Sequence, residues 1–380
     1  MKVTIYALVL VITLSRCSFA QFALDARIDE GIKQVYNIQF AEAEKTFREV
    51  IAEDPNKPQG FFFLSMVDWM KILLEPSDEQ YDDMFYEKIE DVIYRCDEIL
   101  EDNPDNIDAL FFKGGAIGFR GRLRALRESW LKAADDGREA LPIVEYASQL
   151  DPGNKDILLG SGIYNYYASV IPDKYSYVKP LMIFFPNGDK VKGISQLVAV
   201  ANEGRYAKYE ARYFLMTLYM TFENDPYRAA EYADMLIADF PNNPVFIRWR
   251  GRIAIRKGEQ ELANQLWAKI YQSCKENKPG YISSALRESS YYLGIRYQER
   301  GMLDSAKTML EESIAQSERI DKGETESGFL INAVLYLGMV YDSKGERSEA
   351  VRMYNRVLDM REFANSHNQA ERYIKTPYGK

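Results

Sequence analysis

Residues that usually carry catalysis are scarce in this chain of 380 residues. It has one histidine, His367, so a Ser-His-Asp triad, histidine acid–base catalysis and a histidine metal site are nearly excluded. Cys96 and Cys274 lie far apart in helical patterns, without the paired-cysteine spacing of a zinc site. We interpret both as small buried apolar side chains. The sequence therefore predicts no catalytic residue, no metal ligand and no cofactor.

Two other patterns resemble known motifs but lack an essential part. The glycines of Gly114–Gly121 have no strand before them and no Gly-Lys-Ser/Thr after them, so they predict close helix packing rather than a phosphate site. Adjacent acids such as Asp135 and Asp136 point in different directions on a helix, and we interpret them as solvated.

An alternative from another functional class is a glycan-acting enzyme with a pair of catalytic carboxylates. Asp173 and Asp189 are the acids with which to test it.

The strongest candidate binding group is a set of three arginines four residues apart. They are Arg248, Arg252 and Arg256. Three guanidinium groups on one helix face could bind a carboxylate or an acidic peptide bidentately. Tyr291 would lie on the matching face of the next such helix and suits peptide contact. The alternative is that Arg252 and Arg256 pair with Glu288 or Glu259 and only solubilise this face.

A second set of arginines and a set of tyrosines are interpreted as structural. The arginines are Arg120, Arg122, Arg124 and Arg127. With an acid nearby and no clear groove position, they predict a solvated helix face. The tyrosines are Tyr164, Tyr166, Tyr167, Tyr175 and Tyr177. They could form a binding surface, but packing of an irregular hairpin against its neighbours is the favoured interpretation.

A glycine and an alanine recur twelve residues apart, and this recurrence is the main signal in the chain. The pairs are Gly31 and Ala43, Gly251 and Ala263, Gly294 and Ala306, and Gly338 and Ala350. Four residues after the alanine stands a large residue, such as Phe47, Trp267 or Tyr354. Small residues on facing helices allow a close approach, and the large side chain fills the space beside the glycine. The pattern predicts antiparallel helix pairs.

The spacing around these pairs completes a repeat. Further glycines stand seven residues after three of the first ones, where a turn needs positive φ: Gly258, Gly301 and Gly345. Between Thr217 and Gly251 the step is 34 residues. The pattern resembles the tetratricopeptide repeat family, most clearly at residues 210–275 and 285–360. The resemblance implies an all-α solenoid of antiparallel helix pairs whose first helices line a concave groove.

The chain is predicted to contain four segments. Residues 1–20 are a signal peptide, 21–206 are divergent repeats, 207–363 are regular repeats, and 364–380 are a capping helix and tail. Asp82 and Asp83 are interpreted as exposed linker, and the helix that leads to Pro152 is predicted to follow an irregular insertion. Residues 160–193 form an irregular helical insertion. That stretch, including Gly160–Tyr167, resembles an uncharacterised bacterial tetratricopeptide family. It also distantly resembles the tetratricopeptide repeat protein 39 and inclusion-body clearance family. These resemblances imply no catalytic residue.

The first twenty residues predict export. Lys2 is followed by the apolar stretch Thr4–Leu14, and small residues at 18 and 20 fit cleavage by a signal peptidase after residue 20. The predicted location is the periplasm or cell surface of a Gram-negative bacterium. Lipidation at Cys17 is an alternative, although Arg16 stands where a lipid-attachment motif needs a small residue. No later apolar run approaches the roughly 20 residues of a membrane-spanning helix.

Charge and repeats together predict a binding protein. The formal net charge of −9 argues against nucleic acid, whose binding depends on neutralised phosphates. We expect a non-catalytic scaffold of the cell envelope that binds a protein or peptide segment in the concave groove. The alternative is an outer-membrane-associated assembly factor, anchored if Cys17 is acylated.

Overall fold

The computed structural model describes residues 24–174, 185–321 and 326–380, and within these ranges the chain is helical with no strand. Within each unit, consecutive helices pack against each other in chain order. The predicted all-α, tetratricopeptide-type solenoid of antiparallel helix pairs is thereby confirmed. The helices divide into two compact units, unit 1 ending at Phe240 and unit 2 beginning at Pro241.

Each unit is a series of helix pairs, in which odd-numbered helices are the first members and even-numbered helices the second. In unit 1 the helices are α1 (24–36), α2 (Phe40–Glu53), α3 (Gln59–Leu74), α4 (Asp82–Asp102), α5 (Ile107–Leu126), α6 (Trp130–Leu150), α7 (Leu158–Lys174), α8 (Lys190–Glu203), α9 (Lys208–Thr221) and α10 (Pro226–Asp239). In unit 2 they are α11 (Pro244–Lys257), α12 (Gln260–Lys275), α13 (Ser283–Glu299), α14 (Leu303–Ile320), α15 (Gly328–Ser343), α16 (Arg347–Leu358) and α17 (Ser366–Lys375).

A large side chain packs against the first glycine of each predicted repeat. The pairs are Gly31 with Phe47, Gly251 with Trp267, Gly294 with Leu310, and Gly338 with Tyr354. A Cβ atom on Gly251 would lie 2.7 Å from the Trp267 ring, inside van der Waals contact. The partner alanines are buried beside them: Ala43, Ala263, Ala306 and Ala350. Only a hydrogen atom fits at the glycine, so the paired helices can approach closely.

One backbone conformation recurs at the turn inside the helix pairs. The three predicted turn glycines have positive φ, as expected: Gly258 (φ 76°), Gly301 (φ 73°) and Gly345 (φ 80°). Three other residues adopt the same conformation, seven residues after Gly31, Gly121 and Thr217: Ile38 (φ 63°), Glu128 (φ 56°) and Asn224 (φ 52°). Residues with a Cβ rarely adopt it, so sequence alone identified only the glycines.

The middle of unit 1 is more regular than the sequence predicts. The predicted irregular insertion before the helix leading to Pro152 is wrong, because α5 and α6 are continuous helices that pack as a pair. They have 20 and 21 residues, against 14 in α11, and this extra length moves the signature residues out of the repeat frame. Two of the α5 glycines pack closely, as predicted: a Cβ on Gly114 would lie 2.6 Å from Val144, and one on Gly121 would lie 3.0 Å from Asp136, whereas Gly118 has open space.

The structure agrees with the remaining predicted segments only in part. Within residues 160–193, α7 reaches Lys174 and α8 begins at Lys190, so the described residues there are largely helical. Residues 175–184, and with them Tyr175 and Tyr177, lie outside the described ranges, as does the predicted signal peptide. The helix α17 lies within the predicted capping segment. Among the helices of the described ranges, none has the length and apolarity to cross a bilayer.

Candidate interaction surface

Glu288 and two arginines form a buried ion cluster in unit 2. Arg248 on α11 donates from Nε to Oε2 of Glu288 on α13 at 2.7 Å, and from Nη1 to Oγ of Ser284 at 3.2 Å. Arg252, one turn later, binds both carboxylate oxygens of Glu288, with an Nη2–Oε2 distance of 2.9 Å. Burial alone would raise the pKa of Glu288, but Arg252 and Arg248 hold that pKa below its ordinary value. The cluster is therefore an ionised pair network that joins α11 to α13.

The structure places the three predicted arginines in different surroundings. Arg248 is buried with Glu288, so it cannot reach a partner while α11 and α13 remain packed. The side chain of Arg252 remains 29% exposed, and Arg256 is exposed. Glu259, the other predicted counter-ion, pairs with Lys257 at 2.6 Å and with Arg250 at 2.9 Å. A binding role for the three arginines stays a prediction, and the geometry restricts it to Arg252 and Arg256.

Tyr291 lies in the core of unit 2 rather than at its surface. It is 9% exposed, and its ring contacts those of Tyr292, Phe329 and Tyr336 at centroid separations of 5.1, 5.4 and 6.3 Å. Burial, together with the neighbouring tyrosines, raises the pKa of Tyr291 well above its ordinary value. The register of α13 turns this side chain toward α15, so Tyr291 is not part of an accessible surface.

A smaller accessible surface remains on α11 and α13, which we call the α11–α13 face. It consists of Arg252, Ile255 and Arg256 on α11 and Ile295 and Gln298 on α13. Its residues are half-buried except for the exposed Arg256. Glu288 holds the Arg252 guanidinium in one orientation, which reduces the entropy lost when that group binds an anion. Cationic and aliphatic side chains together suit an acidic peptide with apolar residues.

In unit 1, an arginine surrounded by aromatic rings fills the corresponding face of the first helices. Arg122 on α5 donates from Nη1 to Oε2 of Glu210 on α9 at 2.7 Å. Three ring centroids lie 4.4–4.8 Å from its guanidinium carbon, those of Trp69, Phe119 and Phe214. Tyr36 on α1 donates its hydroxyl to Oε1 of Glu210 at 2.9 Å. Burial and the Glu210 carboxylate raise the pKa of Tyr36 well above its ordinary value.

The contact between α1 and α9 closes unit 1. The Tyr36 ring packs against Tyr209 on α9, with the ring centroids 5.2 Å apart. Arg205, just before α9, pairs with Asp25 at 2.8 Å and with Asp29 at 3.1 Å, both on α1. In an open repeat array each repeat contacts only its neighbours, so this contact departs from the solenoid pattern. The protein's own side chains therefore occupy the face that the sequence assigns to a groove in unit 1.

The arginines interpreted as a solvated helix face are instead part-buried in ion pairs, so that interpretation is wrong. Arg120 donates from Nε to Oδ1 of Asp136 at 2.9 Å, and Arg124 donates from Nη1 to the same atom at 2.6 Å. Asp136 itself is buried, contrary to prediction, and this burial raises its pKa. Asp82, predicted to be exposed linker, is buried beside Arg127, with Nε and Oδ2 2.6 Å apart. Arg120 and Asp136 are 16 residues apart, the spacing of Gly31 and Phe47, and this spacing could have predicted their contact.

The other candidate chemical groups have structural contacts. Cys96 and Cys274 are buried free thiols, and burial raises the pKa of each to about 12. Asp189 is the N-cap of α8 and accepts a hydrogen bond from the backbone N–H of Lys192. On α17, Nε2 of His367 lies 2.8 Å from a backbone carbonyl. In the described ranges, no three His, Cys, Asp or Glu side chains are grouped so that they could hold a metal ion.

The described tyrosines of the tyrosine-rich stretch are packing residues of α7. Tyr166 is buried and donates its hydroxyl to Oε1 of Glu223 at 2.7 Å. Tyr167 packs edge-on against Phe222, and burial raises the pKa of Tyr167 to about 12. Tyr164 donates to a backbone carbonyl just before α8. These contacts fit the packing interpretation rather than a binding surface.

Comparison with known proteins gives a likeness of fold. The chain matches no protein-family model and no curated protein. It is similar to a chain of the Cut9–Hcn1 hetero-tetramer of APC/C, with 15% identity and a TM-score of 0.54, over 89% of this chain and 53% of that chain. The chain thus spans about half the length of that solved structure.

Two further solved structures overlap less well. The C-terminal part of a TPR repeat-containing protein from Cytophaga hutchinsonii is 14% identical, with a TM-score of 0.36, over 80% of this chain and 98% of that one. The human IFIT1 dimer with PPP-AAAA is 14% identical, with a TM-score of 0.44, over 85% of this chain and 69% of that one. At such identities similarity concerns fold alone. The helix pairs, their glycine frame and the similarity to the Cut9–Hcn1 chain together show that the chain has the tetratricopeptide-type helical-repeat fold.

Proposed function

We propose that the protein is a non-catalytic scaffold of the cell envelope that binds an acidic protein or peptide segment on the α11–α13 face. The observation that carries the proposal is that Arg252 and Arg256 stay accessible on this face. The equivalent face of unit 1 is filled by the Arg122 cluster. Repeat arrays commonly bind partners along their first helices, where a preformed surface orders an extended peptide. Ile255 and Ile295 would contact its apolar residues.

A double variant tests this proposal. Arg252→Ala with Arg256→Ala removes both accessible cations; Glu288 then loses its two hydrogen bonds from Arg252 but keeps its pair with the buried Arg248, so hydrogen exchange must show that α11 and α13 remain packed. The matched control is Arg352→Ala with Arg356→Ala, two arginines four residues apart on the second helix α16. Binding of a fluorescent peptide that alternates Glu and Leu, followed by anisotropy, should weaken by about tenfold in the first variant and flatten in its salt dependence. Equal binding by both variants, or none by the wild-type protein, contradicts the proposal.

The native partner can be captured at the same face. A photo-crosslinking amino acid in place of Ile255 or Ile295 should join the partner in the native envelope, and mass spectrometry would identify it. The same substitution at Met235, an exposed side chain of unit 1, is the control. If the captured proteins are the same at all three positions, the α11–α13 face is not the binding site.

Export and anchoring form the second part of the proposal. The first twenty residues support a periplasmic or cell-surface location, and Cys17 supports the alternative of an anchored assembly factor. Intact-mass analysis of protein from the envelope separates the two. A chain beginning at Gln21 without added mass favours release, and a chain beginning at an acylated Cys17 favours the anchor.

A further inference from the structure

One position recurs on the first helices of unit 2, four residues after the first glycine of each repeat. It is occupied by Ile255 on α11, Gln298 on α13 and Asp342 on α15. Because each of these glycines faces the second helix of its own pair, the three residues lie on equivalent faces of their helices. Ile255 and Gln298 are half-buried members of the α11–α13 face, whereas the Asp342 side chain is 1% exposed. The accessible face therefore stops before α15.

Residues 376–380, which follow α17, cover Asp342, and we call them the strap. The backbone N–H of Tyr378 donates to Oδ2 of Asp342 at 2.9 Å. The Tyr378 ring packs edge-on against Tyr373 of α17, with the ring centroids 5.4 Å apart. Burial, and then the nearby Tyr378 phenol, raise the pKa of Tyr336 on α15. The strap thus lies against α15 where the row of equivalent positions continues.

The polar groups beneath the strap have other partners. Arg347 on α16 binds both carboxylate oxygens of Asp342, at 2.8 and 3.0 Å, and Tyr354 donates its hydroxyl to Oδ2 at 2.9 Å. Arg347 also donates to the backbone carbonyls of Tyr373 and Ile374 and so satisfies the end of α17. If the strap leaves, Asp342 keeps its counter-ion, so the fold does not need the strap to satisfy a buried polar group.

The strap itself is held by few contacts. In the described ranges, one hydrogen bond, from the Tyr378 N–H, joins the strap to α15 and α16. Thr376, Gly379 and Lys380 are exposed. A segment held by one charge-assisted hydrogen bond and one aromatic ring can exchange with a peptide that offers the same two groups.

We propose that the strap is an internal occupant of the binding face, and that the partner displaces it to extend the α11–α13 face onto α15. The contacts of the strap define what the partner must offer: a backbone N–H for Asp342 and an aromatic ring for Tyr373. The partner is then a segment whose acidic and apolar residues bind α11 and α13 and whose adjoining aromatic residue binds at α15. This inference rests on the proposed function, because it names the segment that the α11–α13 face binds.

The strap should lower the affinity of such a partner. A partner reaches Asp342 only in molecules whose strap is released, so its apparent affinity is reduced by that fraction. A hydrogen bond to a charged group together with one ring contact should keep the released fraction below about one tenth. Releasing the strap should therefore tighten binding at least about tenfold.

The first experiment releases the strap without a partner. Tyr378→Pro removes the N–H that Asp342 accepts, and Tyr378→Ala keeps it but removes the ring. A fluorophore on Lys380→Cys reports the motion of the strap by its anisotropy; Cys17 is replaced by Ser, and the remaining cysteines are buried. The anisotropy should fall in Tyr378→Pro and fall less in Tyr378→Ala, while hydrogen exchange of α15 and α17 stays as in wild type.

Two results of this experiment overturn the proposal. Loss of protection in α15 and α17 on Tyr378→Pro would show that the strap is a required part of the fold. Unchanged anisotropy would show that the hydrogen bond to Asp342 does not hold the strap. Neither result depends on binding at the α11–α13 face.

The second experiment measures competition by peptide anisotropy. The peptide that alternates Glu and Leu should bind wild type and Tyr378→Pro alike. The same peptide extended by Tyr-Gly at either end should bind Tyr378→Pro at least about tenfold more tightly than wild type. Lys375→Ala, at an exposed residue in the last turn of α17, is the control and should bind the extended peptides like wild type.

The outcomes separate the strap from the proposed function. If the peptides bind but Tyr378→Pro gives no gain for either extended peptide, the strap does not compete and the proposal is overturned. If no peptide binds either protein, the proposed function fails, and the partner assigned to the strap fails with it.

Discussion

Replacing Glu288 by glutamine should test the ion cluster of unit 2 most directly. The carboxylate is fully buried and neutralises Arg248, which is itself buried, and Arg252, which is partly exposed. Glu288→Gln keeps the size of the side chain but leaves two guanidinium groups without their counter-ion. Removing one partner of a buried pair costs about 3–5 kcal/mol, and we expect the lower end because Arg252 can turn toward water.

Native-state hydrogen exchange with mass spectrometry suits this measurement because it reports the opening free energy of α11 and α13 separately from unit 1. Glu288→Gln should lower the opening free energy of these helices by about 3 kcal/mol. The control is Glu299→Gln, at an exposed pair with Arg296, where we expect a loss below about 1 kcal/mol. Equal effects of the two substitutions would refute the assignment of the cluster as a buried ionised network.

The same substitution has a predictable dependence on pH. The pKa of Glu288 in the folded protein lies below its ordinary value of 4.5, so the carboxylate stabilises unit 2 at pH values above 4.5. That contribution is lost as the pH falls from 4.5 through the lowered pKa, because in this range the unfolded chain binds a proton that the folded chain does not. The difference between wild type and Glu288→Gln should therefore be constant from pH 8 to about 5 and shrink in more acidic solution. A difference that grows on acidification would contradict the sign.

Three further predictions follow from single residues. Glu128→Gly should raise the free energy of unfolding by about 0.5–1 kcal/mol in chemical denaturation, because the turn has positive φ there, while Glu145→Gly inside α6 should lower it by about 1 kcal/mol. Gly338→Ala should lower it by about 1–3 kcal/mol because the new methyl group overlaps a tyrosine ring, whereas Gly118→Ala, with open space around its Cβ, should be neutral or stabilising. The Cys274 thiol should resist iodoacetamide at pH 8 in the folded protein and react once the protein is denatured, since its pKa is about 12; rapid alkylation of the folded state would contradict its burial.

The helix pairs could be predicted because their determinants are local and periodic. Gly251 and Trp267 lie within one repeat, and their separation is the same in every regular unit. Periodicity therefore predicted the all-α class and the turn glycines. It did not predict Ile38 in the same turn, because the surrounding contacts impose a conformation that its β-branched side chain disfavours.

The surroundings of the candidate site depend on contacts between repeats, which the period does not encode. Arg248 and Glu288 are 40 residues apart on neighbouring repeats, and the step between the signature glycines Gly251 and Gly294 is 43 residues rather than 34, so the regular period does not predict their contact. Tyr291 was predicted to face a groove, but the packing of α13 on α15 buries it. The contact of Tyr36 with Glu210 spans 174 residues. No sequence pattern predicts it, since the repeat pattern predicts contacts only between neighbouring repeats.

The contact between α1 and α9 has a consequence for how unit 1 is made. Arg205 and Asp25 are 180 residues apart. The first helix is therefore synthesised long before the residues that it contacts on α9. Loop closure over such a distance is slow compared with stacking of adjacent repeats. Unit 1 should then fold as one cooperative block late in synthesis, with its early helices exposed to proteases and chaperones until residue 210 is synthesised.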